Sequence, residues 1–366
     1  MCSRRLSKDG RSTLSMEIFK SSLQSYLGVD INPYSVKVVE LKKHGNKVAL
    51  STYGFSERFS ESASKDAAPI DPRRTSDLLK SICEKAHTSS NLALASLPTF
   101  SVFSSIININ HAVNKKDIEA AVNWEAKKVI PIPLQDIVLD WQMVDEAPTT
   151  TGGHKVLLTG APKNLIQSYV NVFKNVQFNL LSLETEIFAL IRSLLGNDRS
   201  SVMIVQLGLT TTNIFVVDKS VPVINRSISV GGITITQAIA ANLNMSLAQA
   251  EQFKYDLMHN DQEGEAGKMP AMIAEAFGPI VNEIKYILEV FGSKDNRRVE
   301  KIILTGGGAL LPGLPSYLSE MFNLNAIVGD PWFRIAYPYE LKPILDKIGP
   351  RLAVAIGLAM REFDRK

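Results

Sequence analysis

The chain has few cysteines and histidines and no long apolar run. Its two cysteines, Cys2 and Cys83, have the spacing of neither a metal site nor a redox pair, and its five histidines show no ligand spacing. No stretch of about 18 consecutive apolar residues occurs, so we expect no transmembrane helix and no direct insertion into a membrane. The sequence therefore argues against a disulfide scaffold, a zinc-type site and an integral membrane protein, and it favours a reduced, cytosolic compartment.

Neither sign of charge dominates. The 40 Lys and Arg residues exceed the 37 Asp and Glu residues only slightly, which gives a formal net charge of +3. An excess this small does not indicate nucleic acid as the main partner. With 366 residues and 45% hydrophobic content, the chain is long and apolar enough to form two or more globular domains.

The first 25 residues begin "MCSRRLSKDG" and are basic and serine-rich. They lack the apolar segment of a secretory signal. We expect residues 1–25 to form a flexible tail, and Met16 offers an alternative start of translation.

One pattern of strand, polar turn and strand occurs twice. Residues 26–56 predict three strands joined by a turn at Asn32-Pro33 and a hairpin at 44–46, and "VMIVQLGLTTTNIFVVD" later repeats the pattern. The two segments overlay when Asp30 falls on Gln206, and helices close each half. We therefore predict a duplicated α/β fold of two related halves.

The order of predicted elements divides the chain further. We predict a first α/β domain at 26–98 and 161–200, and a second at 201–238 and 300–366. Residues 239–299 are predicted to form a helical subdomain of the second half. Residues 99–160 predict an inserted module of strand, helix, strand and strand, in which Trp124 and Trp141 are expected to pack internally.

Three loops have residue types that suit a phosphate-bearing ligand. They are 30–37, 208–213 and "LTGGGALLPG" at 304–313. Two turns that present backbone N–H groups and hydroxyls can clamp a phosphate chain, and glycines let the backbone approach a ligand closely. Each loop alone also fits an ordinary turn. The combination of all three predicts a nucleotide between the two halves.

Several longer stretches resemble a known family. They include "GVDINPYSVKVVEL", "AAVNWEAKKVIPIPLQDIVLDWQMV", "SVGGITITQAIA", "AEQFKYD" and "ILTGGGALLPGLPSYLSEMFN". Together they resemble the actin, Hsp70 and sugar-kinase superfamily and, within it, the PilM family of type IV pilus assembly, which is related to FtsA. The resemblance covers the chain from about residue 24 onward and implies an actin-like fold with a nucleotide cleft.

The resemblance also implies ATP and Mg²⁺ as cofactors and gives roles to particular residues. The first phosphate loop would contain Asp30, Asn32, Ser35 and Lys37, and the second would contain Gly208, Thr210, Thr211, Thr212 and Asn213. The adenosine would lie against Gly232, Glu251, Lys254, Gly306, Gly307, Gly308 and Leu311. Glu186 would face the attacking water, and Asp30 and Gln206 would hold Mg²⁺ through water.

The two loops depart from the family pattern, in which each reads Asp-Ile-Gly. In the first, Asn32-Pro33 replaces the glycine and its neighbour; Asn tolerates positive φ, whereas Pro33 removes an N–H donor. In the second, Gln206 replaces the aspartate and carries no charge for Mg²⁺. We therefore expect weak Mg²⁺ binding and slow or absent hydrolysis.

Three functions follow as alternatives. The first is a cytoplasmic scaffold of type IV pilus assembly, or of a related type II secretion system, that holds ATP and is peripheral to the inner membrane. It would bind the N-terminal cytoplasmic peptide of a PilN-like inner-membrane protein, other pilus components and a second copy of itself. The second is a slow ATPase that drives a conformational change. The third is an FtsA-like polymerising membrane tether.

Overall fold

The computed structural model describes residues 24–45, 47–57, 70–109, 115–144, 154–259, 269–293 and 297–364. The predicted tail lies outside these residues as far as position 23, and so does Asn46 of the predicted hairpin. None of the helices within these ranges is both long enough and apolar enough to span a bilayer.

The first lobe is built on a five-stranded sheet in the order β3-β2-β1-β4-β8. Strands β1 to β3 are antiparallel, and β4 and β8 continue the sheet in parallel. Leu27, Val29 and Ile31 of β1 alternate onto the face covered by α1 and α3. The elements are β1 (Ser25–Asn32), β2 (Ser35–His44), β3 (Lys47–Glu57), α1 (Pro72–Lys85), β4 (Leu92–Leu97), α3 (Lys163–Asn175) and β8 (Asn179–Thr185).

The second lobe repeats this topology in the order β11-β10-β9-β12-β13. Met203, Val205 and Leu207 of β9 face a core shared with the helices of this half. The elements are β9 (Val202–Leu207), β10 (Thr212–Asp218), β11 (Val221–Ile228), α5 (Gly232–Leu243), α6 (Leu247–His259), α7 (Ala271–Ala276), α8 (Gly278–Gly292), β12 (Lys301–Thr305), α9 (Leu314–Phe322) and β13 (Asn325–Val328). The predicted duplicated α/β fold is therefore confirmed.

The duplication extends to individual residue pairs. Asp30 of β1 pairs across the sheet with Lys37 of β2, and Gln206 of β9 pairs with Asn213 of β10. These are the positions that overlay in the sequence. Equivalent residues of the two lobes therefore stand at equivalent points of their sheets.

The inserted module has the predicted order of β5 (Phe103–Ile109), α2 (Lys115–Val129), β6 (Ile137–Met143) and β7 (His154–Pro162). Its sheet runs β5-β7-β6, and Val122 and Ala126 of α2 are buried against it. Trp141 packs in this core, but Trp124 is 64% exposed and lies beneath the Lys128 ammonium group at 5.7 Å. The expectation that Trp124 packs internally was wrong, because the tryptophan lies on the solvent side of α2.

The helix α10 (Lys342–Asp364) packs against both lobes. A Cβ atom on Gly357 would lie 1.9 Å from the carbonyl oxygen of Ala189 in α4 (Glu186–Leu190), and one on Gly28 of β1 would lie 1.8 Å from the carbonyl oxygen of Ala355. Glycine is therefore required at both points of contact, because any side chain would meet backbone atoms. This packing holds the ends of β1 and β9 on either side of one cavity.

Candidate functional site

A cavity of about 320 Å³ lies at the carboxyl ends of β1, β9 and β12, between the lobes. The crevice at the carboxyl ends of parallel strands is where open α/β sheets bind ligands. The structure brings nearly all the predicted site residues to this cavity, although their roles as nucleotide ligands stay predictions. Those that line it are Asp30, Asn32, Ser35, Lys37, Glu186, Gln206, Gly208, Thr210, Thr211, Asn213, Gly232, Glu251, Lys254, Gly306, Gly307, Gly308 and Leu311.

Thr212 is the predicted residue that does not line the cavity. Its side chain is fully buried, and its hydroxyl donates a hydrogen bond to the Val230 carbonyl oxygen at 2.7 Å. Successive residues of a strand point to opposite faces, so Asn213 faces the cavity while Thr212 faces the core. Thr212 therefore stabilises the second turn from the core side of the strand, through its hydrogen bond to Val230.

The first turn keeps its shape through side-chain hydrogen bonds. The Asn32 Oδ1 atom accepts a hydrogen bond from the Tyr34 backbone N–H at 3.0 Å, and Asn32 Nδ2 donates to Ser35 Oγ at 2.7 Å. Asn32 is not among the described residues that have positive φ. The turn therefore forms without positive φ at Asn32, and these hydrogen bonds make it an Asx turn.

Charged side chains connect the first turn to α10. The Lys37 ammonium group lies 3.7 Å from Asp30 Oδ2 and 3.6 Å from Glu57 Oε1, and Arg351 Nη1 lies 3.2 Å from Glu57 Oε2. Ser96 also donates a hydrogen bond to Asp30 Oδ1 at 3.3 Å. Lys37 and Arg351, two of the cations that line the cavity, are thus already paired with carboxylates.

The second turn is tied to the start of α5. Gly208 N–H donates to the Thr211 carbonyl oxygen at 2.9 Å, and the N–H groups of Gly232 and Ile233 donate to the carbonyl oxygens of Gly208 and Leu209. A Cβ atom on Gly231 would lie 2.7 Å from the Leu209 oxygen. Gly231 therefore allows the turn and α5 to touch. The N–H groups of Gly232 and Ile233, at the start of α5, are used to bind the turn.

Glu186 bridges the two lobes at the bottom of the cavity. Its Oε2 atom accepts hydrogen bonds from Thr99 Oγ1 at 2.5 Å, from Thr99 N–H at 3.2 Å and from Asn213 Nδ2 at 3.2 Å. Burial, and then the nearby Asp30 carboxylate, raise the pKa of Glu186 to about 7. A carboxylate with a pKa near 7 can act as a general base at neutral pH.

The triple-glycine loop closes the cavity from the second lobe. Gly306 has φ +84°, and a Cβ atom there would lie 2.3 Å from the Leu207 carbonyl oxygen. Gly306 N–H and the Thr305 hydroxyl both donate to the carbonyl oxygen of Pro350 in α10, at 2.8 and 2.9 Å. This loop is therefore held by the same helix that carries Arg351.

Glu251 and Lys254 connect α6 to α5. The Lys254 ammonium group donates to Glu251 Oε2 and Thr236 Oγ1 at 2.7 Å, and to the Gly232 carbonyl oxygen at 3.0 Å. Desolvation lowers the pKa of Lys254, and Glu251 opposes this shift. All three ammonium hydrogens are used. Lys254 therefore orients the wall of the cavity, and it would contact a ligand only by exchanging one of these partners.

Sequence reasoning missed Arg351 and Glu57, which also line the cavity. Arg351 stands in "PRLAVAIGLAM", an apolar stretch typical of a core helix. Its signal is that it comes directly before an apolar run, residues 352–360, which Arg361 ends. Apolar and aromatic side chains that were also missed at the cavity wall include those of Tyr34, Phe100, Ile235, Tyr255 and Met258.

The cavity offers little for a metal ion. Its described lining contains four acids against three bases, and no described group of three or more His, Cys, Asp or Glu side chains could hold a metal. Gln206 Oε1 accepts a hydrogen bond from Asn213 Nδ2 at 3.0 Å. A magnesium ion held mainly by phosphate oxygens and water, with Asp30 nearby, fits these residues, because Mg²⁺ often binds through one carboxylate and substrate phosphates.

The fold and the interlobe cavity define a two-lobed protein of the actin-like class. MreB 5 of Spiroplasma citri bound to AMPPNP is 14% identical and aligns over 93% of this chain and 96% of that one, with a TM-score of 0.51. Ethanolamine utilization protein EutJ from Carboxydothermus hydrogenoformans is also 14% identical and aligns over 92% and 89%, with a TM-score of 0.53.

Within that class, a profile of the type IV pilus assembly protein PilM matches residues 28–363, so the chain belongs to the PilM family. A PilM-PilN type IV pilus biogenesis complex is 24% identical and aligns over 92% of this chain and 98% of that one, with a TM-score of 0.77. Cell division protein FtsA of Neisseria meningitidis serogroup B (strain ATCC BAA-335 / MC58) is 24% identical over 287 residues, which span 67% of this chain and 66% of FtsA. The predicted family resemblance is confirmed.

Proposed function

We propose that this PilM-family protein is a cytoplasmic scaffold of type IV pilus assembly that holds ATP between its lobes. The observation that carries the proposal is the convergence of both polar turns and the triple-glycine loop on one cavity. The solved structure of MreB 5 with AMPPNP supports a nucleotide in this class of fold. A bound nucleotide would contact both lobes at once, and it would therefore fix how far they close.

The triphosphate would lie between the two turns. Lys37 and Arg351 would turn from Glu57 toward phosphate oxygens, because charge-assisted bonds to phosphate are strong. Ser35 and Thr211 would supply hydroxyl donors. The adenosine would lie against the glycine loop and the apolar side chains of Tyr255, Met258 and Leu311. When bound, Mg²⁺ would neutralise phosphate charge.

A slow ATPase is the second candidate, and Glu186 is the observation that favours it. Its pKa of about 7 suits a general base, yet three hydrogen bonds already occupy its Oε2 atom. With Gln206 in place of a second carboxylate, we expect little phosphate release from Mg-ATP. Brisk release that Glu186→Ala abolishes would replace the scaffold proposal with an ATPase.

The partner we propose is the N-terminal cytoplasmic peptide of a PilN-like inner-membrane protein, bound by the inserted module. The solved PilM-PilN complex supports this pairing. The sheet of the module has two outer strands, and a sheet edge can accept an added peptide strand. Through this partner, the protein would be peripheral to the inner membrane.

An FtsA-like membrane tether is less favoured, because the last described helix, α10, is mostly buried between the lobes. Sedimentation with liposomes separates the two: binding without any partner would support the tether.

Nucleotide binding can be tested with a fluorescent ATP analogue and two matched glutamate substitutions. Gly307→Glu places an anion in the cavity at a position where a Cβ atom meets only Arg351, at 3.9 Å. Gly278→Glu adds the same side chain where a Cβ atom has no neighbour within 4 Å and which lies outside the cavity lining. We expect binding to be lost in the first variant and kept in the second. Equal binding by both would place the nucleotide elsewhere.

A further inference from the structure

A second cleft opens between the inserted module and the second lobe. We call it the basic cleft; it has a volume of about 1080 Å³, and Ser201, just before β9, and Arg298, before β12, line it. It therefore lies at the amino ends of these strands, whereas the interlobe cavity lies at their carboxyl ends. Of the described residues, none lines both. The basic cleft is a separate site.

The inserted module contributes the face of its sheet that α2 leaves open. Ile107 and Ile109 of β5 pack in the core beneath α2. Successive side chains of a strand point to opposite faces, so Ser104 and Asn108 face away from α2, and both line the cleft together with Lys155, the cross-strand partner of Asn108. Strand β5 also contacts β11 of the second lobe. The two walls thus meet, and the cleft suits a compact ligand rather than a further strand.

Positive charge distinguishes the basic cleft. Five cationic side chains line it against one acid among the described residues, an excess of four, whereas the formal net charge of the whole chain is +3. The acid, Asp218, already accepts a hydrogen bond from Ser201 Oγ at 2.9 Å and pairs with Arg297 Nη1 at 3.1 Å. Asp218 therefore compensates Arg297 and leaves the other cations without a carboxylate in the cleft.

Those other cations are Lys155, Arg199, Lys219 and Arg298. None of the four forms a salt bridge with an acid in the described part of the chain. In the interlobe cavity, by contrast, each of the three described bases of the lining is paired with a carboxylate. Like charges that converge on one cleft raise its potential and attract an anion. The basic cleft is thus built for an anionic ligand.

The residue types favour phosphate groups. Three of the five cations are arginines, whose planar guanidinium groups bind phosphate through two parallel hydrogen bonds. Ser104 and Ser105 add hydroxyl groups to the lining. A phosphate monoester carries a charge of about −1.5 to −2, so an excess of four positive charges is balanced by about two or three phosphate groups.

A buried acceptor adds a second requirement. Asn225 lines the cleft, and its buried Oδ1 atom accepts no hydrogen bond from any described residue. A buried acceptor without a donor is unfavourable, and a hydroxyl or N–H group of a ligand would satisfy it. The volume of the cleft is at the upper end of the range of small-molecule sites. These features together specify a small molecule that carries both phosphates and donor groups.

We propose that the basic cleft binds a soluble small molecule with about two or three phosphate groups and at least one hydroxyl or N–H donor. Arg199 and Arg298 would hold phosphates from the second lobe, Lys155 would do so from the inserted module, and the donor would bind Asn225. The ligand would therefore fix the module against the second lobe. The proposal needs neither ATP in the interlobe cavity nor a PilN-like partner.

The test uses the full chain and a myo-inositol trisphosphate as the probe, because this molecule has both phosphates and hydroxyls. We expect isothermal titration calorimetry to show a single saturable site per chain with a Kd below about 100 μM. Unphosphorylated myo-inositol should not bind. Gly307→Glu, which places an anion in the interlobe cavity, should bind the probe as tightly as the native chain, so failure of the ATP proposal would not affect this result.

Matched double substitutions locate the site. Arg199→Glu combined with Arg298→Glu should weaken probe binding at least about tenfold, because each change removes an attraction and adds a repulsion. Arg73→Glu combined with Arg74→Glu makes the same change at two exposed positions of α1, outside the cleft lining, and should leave binding unchanged. Lys155→Gln should weaken binding about threefold or more, because the ligand would lose a cation of the module wall. ATP-analogue binding should remain normal in all of these variants.

Four results would overturn the proposal. The first is the absence of saturable probe binding, and the second is equal affinity of the two double variants. An anionic lipid has phosphate of the same chemistry, so vesicles that contain phosphatidylglycerol form a separate arm: if they bound through Arg199 and Arg298 while the free probe did not, the site would be a membrane-facing surface. If single-stranded DNA of equal total charge displaced the probe equally well, the cleft would attract anions without selecting a small phosphorylated molecule.

Discussion

Asn213 Nδ2 of the second lobe donates a hydrogen bond to Glu186 Oε2 at 3.2 Å. Glu186 is the first residue of α4, the helix that follows β8 of the first lobe. The same carboxylate oxygen also accepts two hydrogen bonds from Thr99. This buried acid therefore joins the lobes beneath the cavity, and its protonation state is linked to the stability of the fold.

We predict that Glu186→Gln raises stability at high pH. Because burial raises the pKa of this acid from 4.5 to about 7, the folded state binds more protons than the unfolded state between these values. The native residue therefore loses stability as pH rises from about 4.5 through about 7, by up to roughly 3 kcal/mol. The amide variant should lack this loss. Thermal melts over a range of about pH 4 to about pH 8 measure this difference between the two proteins.

Glu320→Gln is the control, since Glu320 is exposed on α9. Its melting curve should follow the native one at each pH. Parallel pH profiles for Glu186→Gln and the native chain would show that Glu186 is ionised without penalty in the folded protein.

A second prediction concerns the cations of the cavity. Glu57→Gln should increase affinity for an ATP analogue about two- to fivefold, because it releases Lys37 and Arg351 from a partly exposed carboxylate. Arg351→Ala should weaken binding at least about tenfold through loss of a charged hydrogen bond to phosphate. Titration by fluorescence measures both. Unchanged affinity in Arg351→Ala would remove this residue from the proposed site.

A third prediction tests the packing between lobes. Gly357→Ala should lower the free energy of unfolding by about 1–3 kcal/mol or more, because its Cβ would lie 1.9 Å from the Ala189 carbonyl oxygen. Gly278→Ala adds the same methyl group into open space and should change stability by less than about 1 kcal/mol. Urea denaturation measures the difference. If the two variants were equally stable, α10 and α4 could move apart to accept the methyl group at no cost in the free energy of unfolding.

A fourth prediction compares two tryptophans. Trp332 is 1% exposed and donates from Nε1 to the Leu345 carbonyl oxygen at 2.9 Å, whereas Trp124 is 64% exposed. Trp332→Ala should destabilise the protein by about 3–5 kcal/mol. Trp124→Ala should change stability by less than about 0.5 kcal/mol. A large loss in the second variant would show that Trp124 packs internally after all.

The sequence allowed the duplicated fold to be predicted because the repeat preserves both apolar alternation and polar turns. The overlay of Asp30 on Gln206 even anticipated equivalent cross-strand pairs. Arg351 could not be predicted, because the position of one arginine among the charged residues of α10 gives no sign of which cavity it faces. The expectation that Trp124 packs internally was wrong for a related reason. Helical periodicity indicates which residues form the buried stripe, but tertiary packing decides whether a residue at the margin of that stripe is buried.

The turn at Asn32 was predicted from the sequence, but its conformation was not. The sequence correctly indicated a turn, but the side chain closes it through hydrogen bonds to Tyr34 and Ser35 while φ stays out of the positive region. Residue type predicted that a turn forms, and only the coordinates distinguished the two ways in which asparagine forms it.

We propose that the cavity holds ATP and that Gln206 keeps Mg²⁺ binding weak. The most direct test of both is the affinity of a fluorescent ATP analogue for the native chain, Gln206→Asp and Gln206→Asn, each with Mg²⁺ and with EDTA. The asparagine variant shortens the side chain equally without adding charge. We predict binding by the native chain and tighter binding only for Gln206→Asp with Mg²⁺. Absence of binding by the native chain and both variants would contradict the account.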